Sequence, residues 1–289
     1  MIIDLHVHSK CSDGKFSVNE IMAEAKRLGI GFLSITDHDS IACQAHAVNA
    51  AKNVGIRYMC GVELNVTFSH PKFREGKSVS LDFLGYNCDL NDEALTGKLA
   101  LMAKYRQERA SKILKNLNDE FEKEGTAKLT EGDFAEIEAS VDGVLGRPHI
   151  ADYLVTKRVV QSRQEAFDKY LVKCDVPKFP LYLEDASKLV RDAGGRLVLA
   201  HPNDPHGTSL TALTKQLPEQ TAIIADSLLP FLDGVECWHS RNEPSTTKHY
   251  VEFAKAHGLL MTGGSDCHQE PLVMGTVQIP DWVATQFPE

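Results

Sequence analysis

Histidines and acids in this chain fall into short clusters of a kind that can hold divalent cations. In Asp4-Leu5-His6-Val7-His8, two imidazoles sit two residues apart in an apolar run. The strand period of two puts both on one face, where they can chelate one cation, while Ile3, Leu5 and Val7 pack on the other. Asp13 follows soon after. Asp37-His38-Asp39, Glu63, Asp82, His201 in Leu199-Ala200-His201-Pro202, and Asp266-Cys267-His268 continue the pattern. A lone H-x-H is a weak signal, explained as well by two polar residues at a strand end. A whole series is different, because burying so many carboxylates and imidazoles together is very costly unless cations neutralise them. The metal reading outweighs that of independent polar strand ends.

The elements that must bring these residues together alternate along the chain. Apolar runs predict strands at Ile2–His8, Gly31–Asp37, Arg57–Glu63, Val79–Tyr86, Arg196–His201, Gly234–Trp238 and Leu259–Asp266. Amphipathic stretches predict helices at Ser17–Leu28, Ser40–Val54, Glu184–Ala193 and Pro244–His257, with Ser17 and Ser40 as N-caps and Gly29, Gly55, Gly194 and Gly258 as stops. Strand and helix in alternation mean an α/β fold with a parallel sheet, and about seven units suit a closed or nearly closed barrel. In such barrels the strand C-termini open on one face, so the candidate ligands converge there. Thr262-Gly263-Gly264-Ser265 reads as a flexible lead into Asp266. Residues 91–180 break the rhythm with nearly continuous helical pattern. They are expected to form an inserted helical subdomain, leaving residues 1–90 and 181–289 as the barrel.

With 289 residues, 43% of them apolar and 25% charged, the composition is that of an ordinary globular enzyme. A formal charge of −9 argues against wrapping long nucleic acid, but not against a small anion drawn to a local metal cluster. The opening MIIDLHVHSKCSDG has no basic n-region, and no stretch approaches the roughly 20 apolar residues of a membrane span. Seven cysteines occur as singletons, which argues against a disulfide framework and for a reducing cytoplasm. No exposed heptad or apolar patch specifies an oligomer.

The motifs H-V-H, S-D-G, T-D-H-D, G-V-E, A-H-P and G-G-S-D-C-H, in that order over nearly the whole chain, resemble the polymerase and histidinol phosphatase (PHP) family. Within it the chain is similar to the branch with a helical insertion, which includes nucleoside 3′,5′-bisphosphate phosphatases and cyclic-phosphate phosphodiesterases. The resemblance implies a distorted seven-stranded barrel holding two or three divalent metals, manganese foremost, with iron or zinc as alternatives. It implies one metal on His6, His8, Glu63 and Asp266. Glu63 bridges to a second, bound also by His201 and the strand-four residue, and a third takes Asp13, His38 and His268. The chain departs from the family at strand four, where Asp82 stands in place of the usual histidine. Its harder oxygen favours manganese or iron over zinc.

For the substrate, Arg147 and His149 in Gly146-Arg147-Pro148-His149 resemble the family's R-x-H phosphate contact, and Arg109 matches an arginine that helps bind nucleotide. Guanidinium suits bidentate phosphate contact. Arg106, three residues before Arg109, reads as a solvated helix face. His239 stands at a strand end where it can touch phosphate or simply be satisfied by polar neighbours. The expected activity is hydrolysis of phosphate esters of small metabolites, of nucleoside bisphosphate or phosphorylated ribose type. A metal-bound hydroxide would attack phosphorus, and His201 or His239 would supply a proton to the leaving group. One alternative is a phosphodiesterase that opens a cyclic ribose phosphate and then removes the phosphate; another is a 5′-3′ exonuclease on short RNA or DNA. A catalytically dead binding module would have lost several ligands, and this set is intact apart from Asp82. A carbon–nitrogen hydrolase also begins H-x-H, but lacks the match to Glu63 and to the S-D-x-H ending.

Overall fold

The computed structural model describes residues 1–141, 145–206 and 208–287. The chain opens on β1 (Ile2–Val7), buried from Ile3 onward. In α1 (Val18–Leu28), Ser17 accepts from Glu20 N and the Glu20 carboxylate reaches back to Ser17 N, while Gly29 at φ 74° ends the helix. β2 (Ile30–Ile35), α2 (Gln44–Val54), β3 (Arg57–Tyr58) and β4 (Gly61–Phe68) follow. α2 begins later than an N-cap at Ser40 would set it. The Ser40 hydroxyl accepts from Ala42 N at 3.3 Å and closes a local turn, leaving Cys43 to precede the helix.

β5 (Val79–Tyr86) leads into the helical segment, with α3 (Glu93–Glu124), α4 (Glu131–Ala139), α5 (Arg147–Thr156) and α6 (Arg163–Ala166). The chain then passes through α7 (Leu183–Asp192), β6 (Arg196–Leu199), α8 (Leu217–Ile223), β7 (Gly234–His239), α9 (Pro244–His257) and β8 (Leu260–Gly264). Leu117, Phe121, Ile137, Ile150 and Tyr170 belong to an apolar cluster of their own, separate from those packed on the sheets.

The fold is mixed α/β, but its strands are not all parallel. β1, β2 and β3 form one parallel sheet; the other runs β4-β5-β6-β7-β8, with β4, β5 and β6 antiparallel in turn and the rest parallel. The expected strand Arg57–Glu63 divides into β3 and β4, and β4 continues past Glu63 to Phe68. The connection 69–78 back to β5 is too short for a helical crossover, so the two strands form a hairpin. Single bridges between Val7 and Cys267, and between His38 and Glu63, link the edges of the two sheets. Among the described residues, no helix is long and apolar enough to cross a membrane.

Candidate metal centre

The bridges between the sheets are made by the candidate ligands themselves. Asp266 N donates to His6 O at 2.8 Å and His8 N to Cys267 O at 3.0 Å; across the other edge, Glu63 N donates to Asp37 O and Asp39 N to Glu63 O. Residues far apart in the chain are thereby set side by side by backbone hydrogen bonds. Gly264 makes the first of these contacts possible, because a Cβ there would collide with His6. The glycines before Asp266 belong to β8 and serve close packing, not the flexibility expected of them. Asp39, His201 and Asp266 all have positive φ without being glycine. Strain of this kind persists where a site is over-determined by its surroundings.

Glu63 and Asp266 both approach the paired imidazoles of His6 and His8. His6 Nε2 lies 3.2 Å from His8 Nε2, 3.5 Å from Glu63 Oε2 and 3.4 Å from Asp266 Oδ1; His8 Nε2 lies 3.1 and 3.3 Å from the same two oxygens. A cation with bonds of about 2.1 Å holds its ligand atoms roughly 3.0–3.4 Å apart; His6, His8 and Asp266 form one group of near that spacing, and His6, Glu63 and His201 a second. The second Glu63 oxygen, Oε1, is 3.0 Å from His201 Nε2. On the other side, His38 Nδ1 is 3.0 Å from Glu63 Oε2 and His268 Nε2 is 3.3 Å from Asp13 Oδ1. His8, Asp13, His38 and His268 together form a further ligand group. Asp82 lines the same cavity but stands outside these groups, accepting from Asn65 Nδ2 across the β4–β5 ladder.

The donor set fits divalent metals. Glu63 Oε2, Asp13 Oδ1, His38 Nδ1, His201 Nδ1 and His239 Nε2 are buried without a hydrogen bond of acceptable direction. Native interiors rarely leave such atoms unsatisfied unless an ion or water is due there. Electrostatics agree. Burial pushes Glu63 upward, yet His38, His6 and the bond from His201 outweigh it and hold the carboxyl well below its ordinary range. Asp266 is likewise held low against burial by His268, His6 and the bonds from His239 and His8. Burial pushes His8 down, but Asp266 and Glu63 raise it to about 10. Protons thus sit where cations would balance the same carboxylates.

Glu236 completes the centre and escaped sequence reading. Wholly buried on β7, it meets His6 Nδ1 at 3.0 Å through Oε1 and accepts from His201 N at 2.7 Å through Oε2. With its proton on Nδ1, His6 turns the Nε2 lone pair inward. A clue was present: an acid inside an otherwise apolar strand, Gly234–His239, is out of place unless partnered. Asp37 has a related role, since it accepts from Ser9 N, Ser9 Oγ and Ser12 Oγ and so shapes the loop that carries Asp13.

Above the cluster opens a cavity of about 460 Å³, lined among others by Glu63, His201, Asp266, Arg106, Arg109, Arg147, Lys178 and Arg241. Arg147 donates through Nη1 to Asp175 at 2.8 Å, and Arg109 is buried against Asp175 and Val176 O. Arg106 is not solvated as expected: it pairs with buried Asp39, because α3 lies against the loop that follows β2. His149 lies outside the cavity lining, its Nδ1 accepting from Gly146 N at 3.0 Å to cap α5. His239 is also outside the lining, packed beneath Asp266 with Nε2 3.6 Å from Oδ2. The sulfurs of Cys11 and Cys43 lie side by side, a pairing that isolated cysteine spacing did not suggest; folding brings together two loops remote in sequence.

A model of the PHP domain matches residues 4–171. The chain belongs to the PHP domain family. It is 33% identical over 206 residues to a 5′-3′ exoribonuclease of Haemophilus influenzae, covering 69% of this chain and 68% of the relative. It is 29% identical over 273 residues to a 3′,5′-nucleoside bisphosphate phosphatase of Chromobacterium violaceum, covering 92% and 87%. Among solved structures, a candidate metal-dependent phosphoesterase of Bifidobacterium adolescentis superposes with a TM-score of 0.80 at 29% identity, over 98% of this chain and 94% of that one. The PHP chain described here is a metal-dependent phosphoesterase, a hydrolase of phosphate esters.

Proposed function

We propose that this PHP protein hydrolyses phosphate monoesters of small phosphorylated nucleosides or sugars, with a nucleoside bisphosphate as the favoured class. The observation that carries the reading is the gathering of Glu63 and Asp266 against the paired imidazoles of His6 and His8 at the floor of an arginine-lined cavity. The cavity's volume suits a single nucleotide. His6, His8, Glu63 and Asp266 would hold one metal, Glu63, His201 and Asp82 a second, and Asp13, His38 and His268 a third, with manganese preferred. Bound divalent metals acidify water and neutralise charge on phosphoryl oxygens. Arg147, on the cavity wall, orients the phosphate; Arg109 stiffens that wall through Asp175, and His149 keeps the start of α5 in place. His201 would act as a ligand of the second metal, and His239 stands outside the cavity lining.

The supporting frame would be a distorted seven-stranded barrel of residues 1–90 and 181–289, closed by the single bridges at the sheet edges. Residues 91–180, with their own apolar cluster, would be the substrate-binding insertion. The protein would work in the cytoplasm. Action on a short 5′-phosphorylated RNA is a second reading, favoured by the likeness to the exoribonuclease. Release of inorganic phosphate should be measured with manganese from adenosine 3′,5′-bisphosphate, from a cyclic ribose phosphate and from a 5′-phosphorylated RNA oligomer. The proposal expects the bisphosphate to be turned over fastest; release of mononucleotides at a higher rate from the oligomer would replace it with the second reading.

A further inference from the structure

Two cysteines lie on the segments that carry candidate ligands without joining the ligand groups around Glu63. Cys11 stands two residues before Asp13 in the loop after β1, and Cys43 stands five residues after His38, at the start of α2. Their Cα atoms are 6.2 Å apart, although 32 positions separate them along the chain. That distance falls within the roughly 4.4–6.8 Å over which a disulfide forms without backbone movement. The other five cysteines are unpaired. Cys11 is partly exposed and Cys43 is buried, so a reagent in solution reaches Cys11 first.

The loop that carries Cys11 is otherwise fastened by hydrogen bonds to one buried acid. Asp37 accepts from Ser9 N at 2.7 Å, from Ser9 Oγ at 2.6 Å and from Ser12 Oγ at 2.6 Å. Cys11 N donates to Ser9 Oγ at 3.1 Å, and the same hydroxyl lies 3.6 Å from Cys43 Sγ. Both carboxylate oxygens of Asp37 are engaged in this way, and two sulfurs alone are too few to hold a tetrahedral cation. What the two segments share is the group of His8, Asp13, His38 and His268. Asp13 Oδ1 is 3.3 Å from His268 Nε2, and Asp13 Oδ2 is 3.9 Å from His38 Nε2. A bond from Cys11 to Cys43 would tie the segment bearing Asp13 covalently to the segment bearing His38. Ligands fixed before a cation arrives lose less freedom when they bind it.

We propose that Cys11 and Cys43 are a site of reversible oxidation whose disulfide tightens the hold of Asp13, His38 and His268 on a metal ion. This rests on the metal reading in the function proposed above and adds regulation to it. The Cys11 sulfur, having given up its proton, attacks a small-molecule disulfide of the glutathione class and expels one thiolate, leaving a mixed disulfide. The Cys43 sulfur, likewise deprotonated, then attacks the Cys11 sulfur and expels the second thiolate. One protein S–S bond forms and one small-molecule S–S bond breaks. Two electrons pass from the cysteines to the small molecule, and their two protons go to the expelled thiolates. An excess of the small thiol runs the exchange backward. Disulfides of this transient, redox-sensing kind are those that a reducing compartment permits.

The test uses the full chain, stripped of metal and equilibrated with glutathione from wholly reduced to wholly oxidised. Alkylation of thiols followed by peptide mass mapping should find Cys11 joined to Cys43 in the oxidised protein and both alkylated in the reduced protein. Glutathione is then removed and manganese titrated by calorimetry. The weakest-bound ion should be held on the order of tenfold more tightly by the oxidised form, the low end of what support behind a ligand is worth. Cys11→Ser, at the partly exposed position, and Cys43→Ala should each bind manganese as the reduced protein does, whatever the glutathione ratio. Either variant alone breaks the pair, so a folding failure in one leaves the other to decide. Thiols that both stay alkylatable in oxidised glutathione, or manganese binding equal in the two forms, overturn the proposal. Redox-sensitive manganese binding in a protein that releases no phosphate from any ester leaves the switch standing and removes the proposed function. Phosphate release with redox-insensitive binding does the reverse.

Discussion

Glu236 and His6 form a buried pair, Oε1 to Nδ1 at 3.0 Å, with neither side chain exposed to solvent. The pair sets the histidine's tautomer, and Glu236 Oε2 at the same time holds the backbone N–H of His201. One carboxylate thereby positions two of the residues around Glu63. Glu236→Gln presents a donor where an acceptor is needed, so manganese affinity should fall roughly 10- to 100-fold. Calorimetric titration with manganese checks this, and an unchanged affinity would show that the pair has no part in cation binding.

Asp266 faces both His6 and His8. Asp266→Asn keeps the shape and removes the charge. Phosphate release in manganese-replete protein should drop on the order of 10²–10³-fold, the range for losing one charge-stabilising group in a site. Turnover near the wild-type rate would sink the cluster chemistry.

Proton and cation compete for the same nitrogens. Against burial, which lowers them, carboxylate neighbours raise His8 from 6.5 to about 10 and His201 from 6.5 to about 9. A raised histidine contributes stability that is complete below its unfolded pKa and is lost as pH climbs through the folded value. For Glu63 and Asp266, held low, the contribution is present above the ordinary carboxylate range and is lost in acid. Metal-free protein should therefore melt highest between about pH 5 and 6.5 and lose stability toward pH 9–10. Manganese should flatten the alkaline decline, and its uptake should release protons and tighten as pH rises. Melting curves with chelator and with manganese across this range give the answer; identical alkaline slopes would contradict it.

Arg106 and Asp39 join α3 to the loop that carries His38, with side chains 17% and 3% exposed. Arg106→Met leaves the Asp39 charge without its partner and should cost about 3–5 kcal/mol. The Arg106→Met/Asp39→Asn double variant should recover part of that loss, and denaturant titration of the four proteins gives the coupling. Additive losses would mean that the pair does not couple the two segments.

The candidate ligands were legible because local order encodes them. His6 and His8 share a face through strand periodicity, and Ser17 announces the start of α1 whatever lies around it. Strand β5 falls where its apolar run placed it. The pairing of segments depends on what packs against what, and periodicity does not carry that information. Tertiary structure alone set β4, β5 and β6 antiparallel, gave Arg106 a buried partner, brought Cys11 to Cys43, and stood Glu236 behind His6. The chain by itself determined which side chains can hold a cation, because that is a property of residue type and spacing. Folding decided which atoms of those side chains meet, because distance between remote residues exists only once the sheets have closed upon each other.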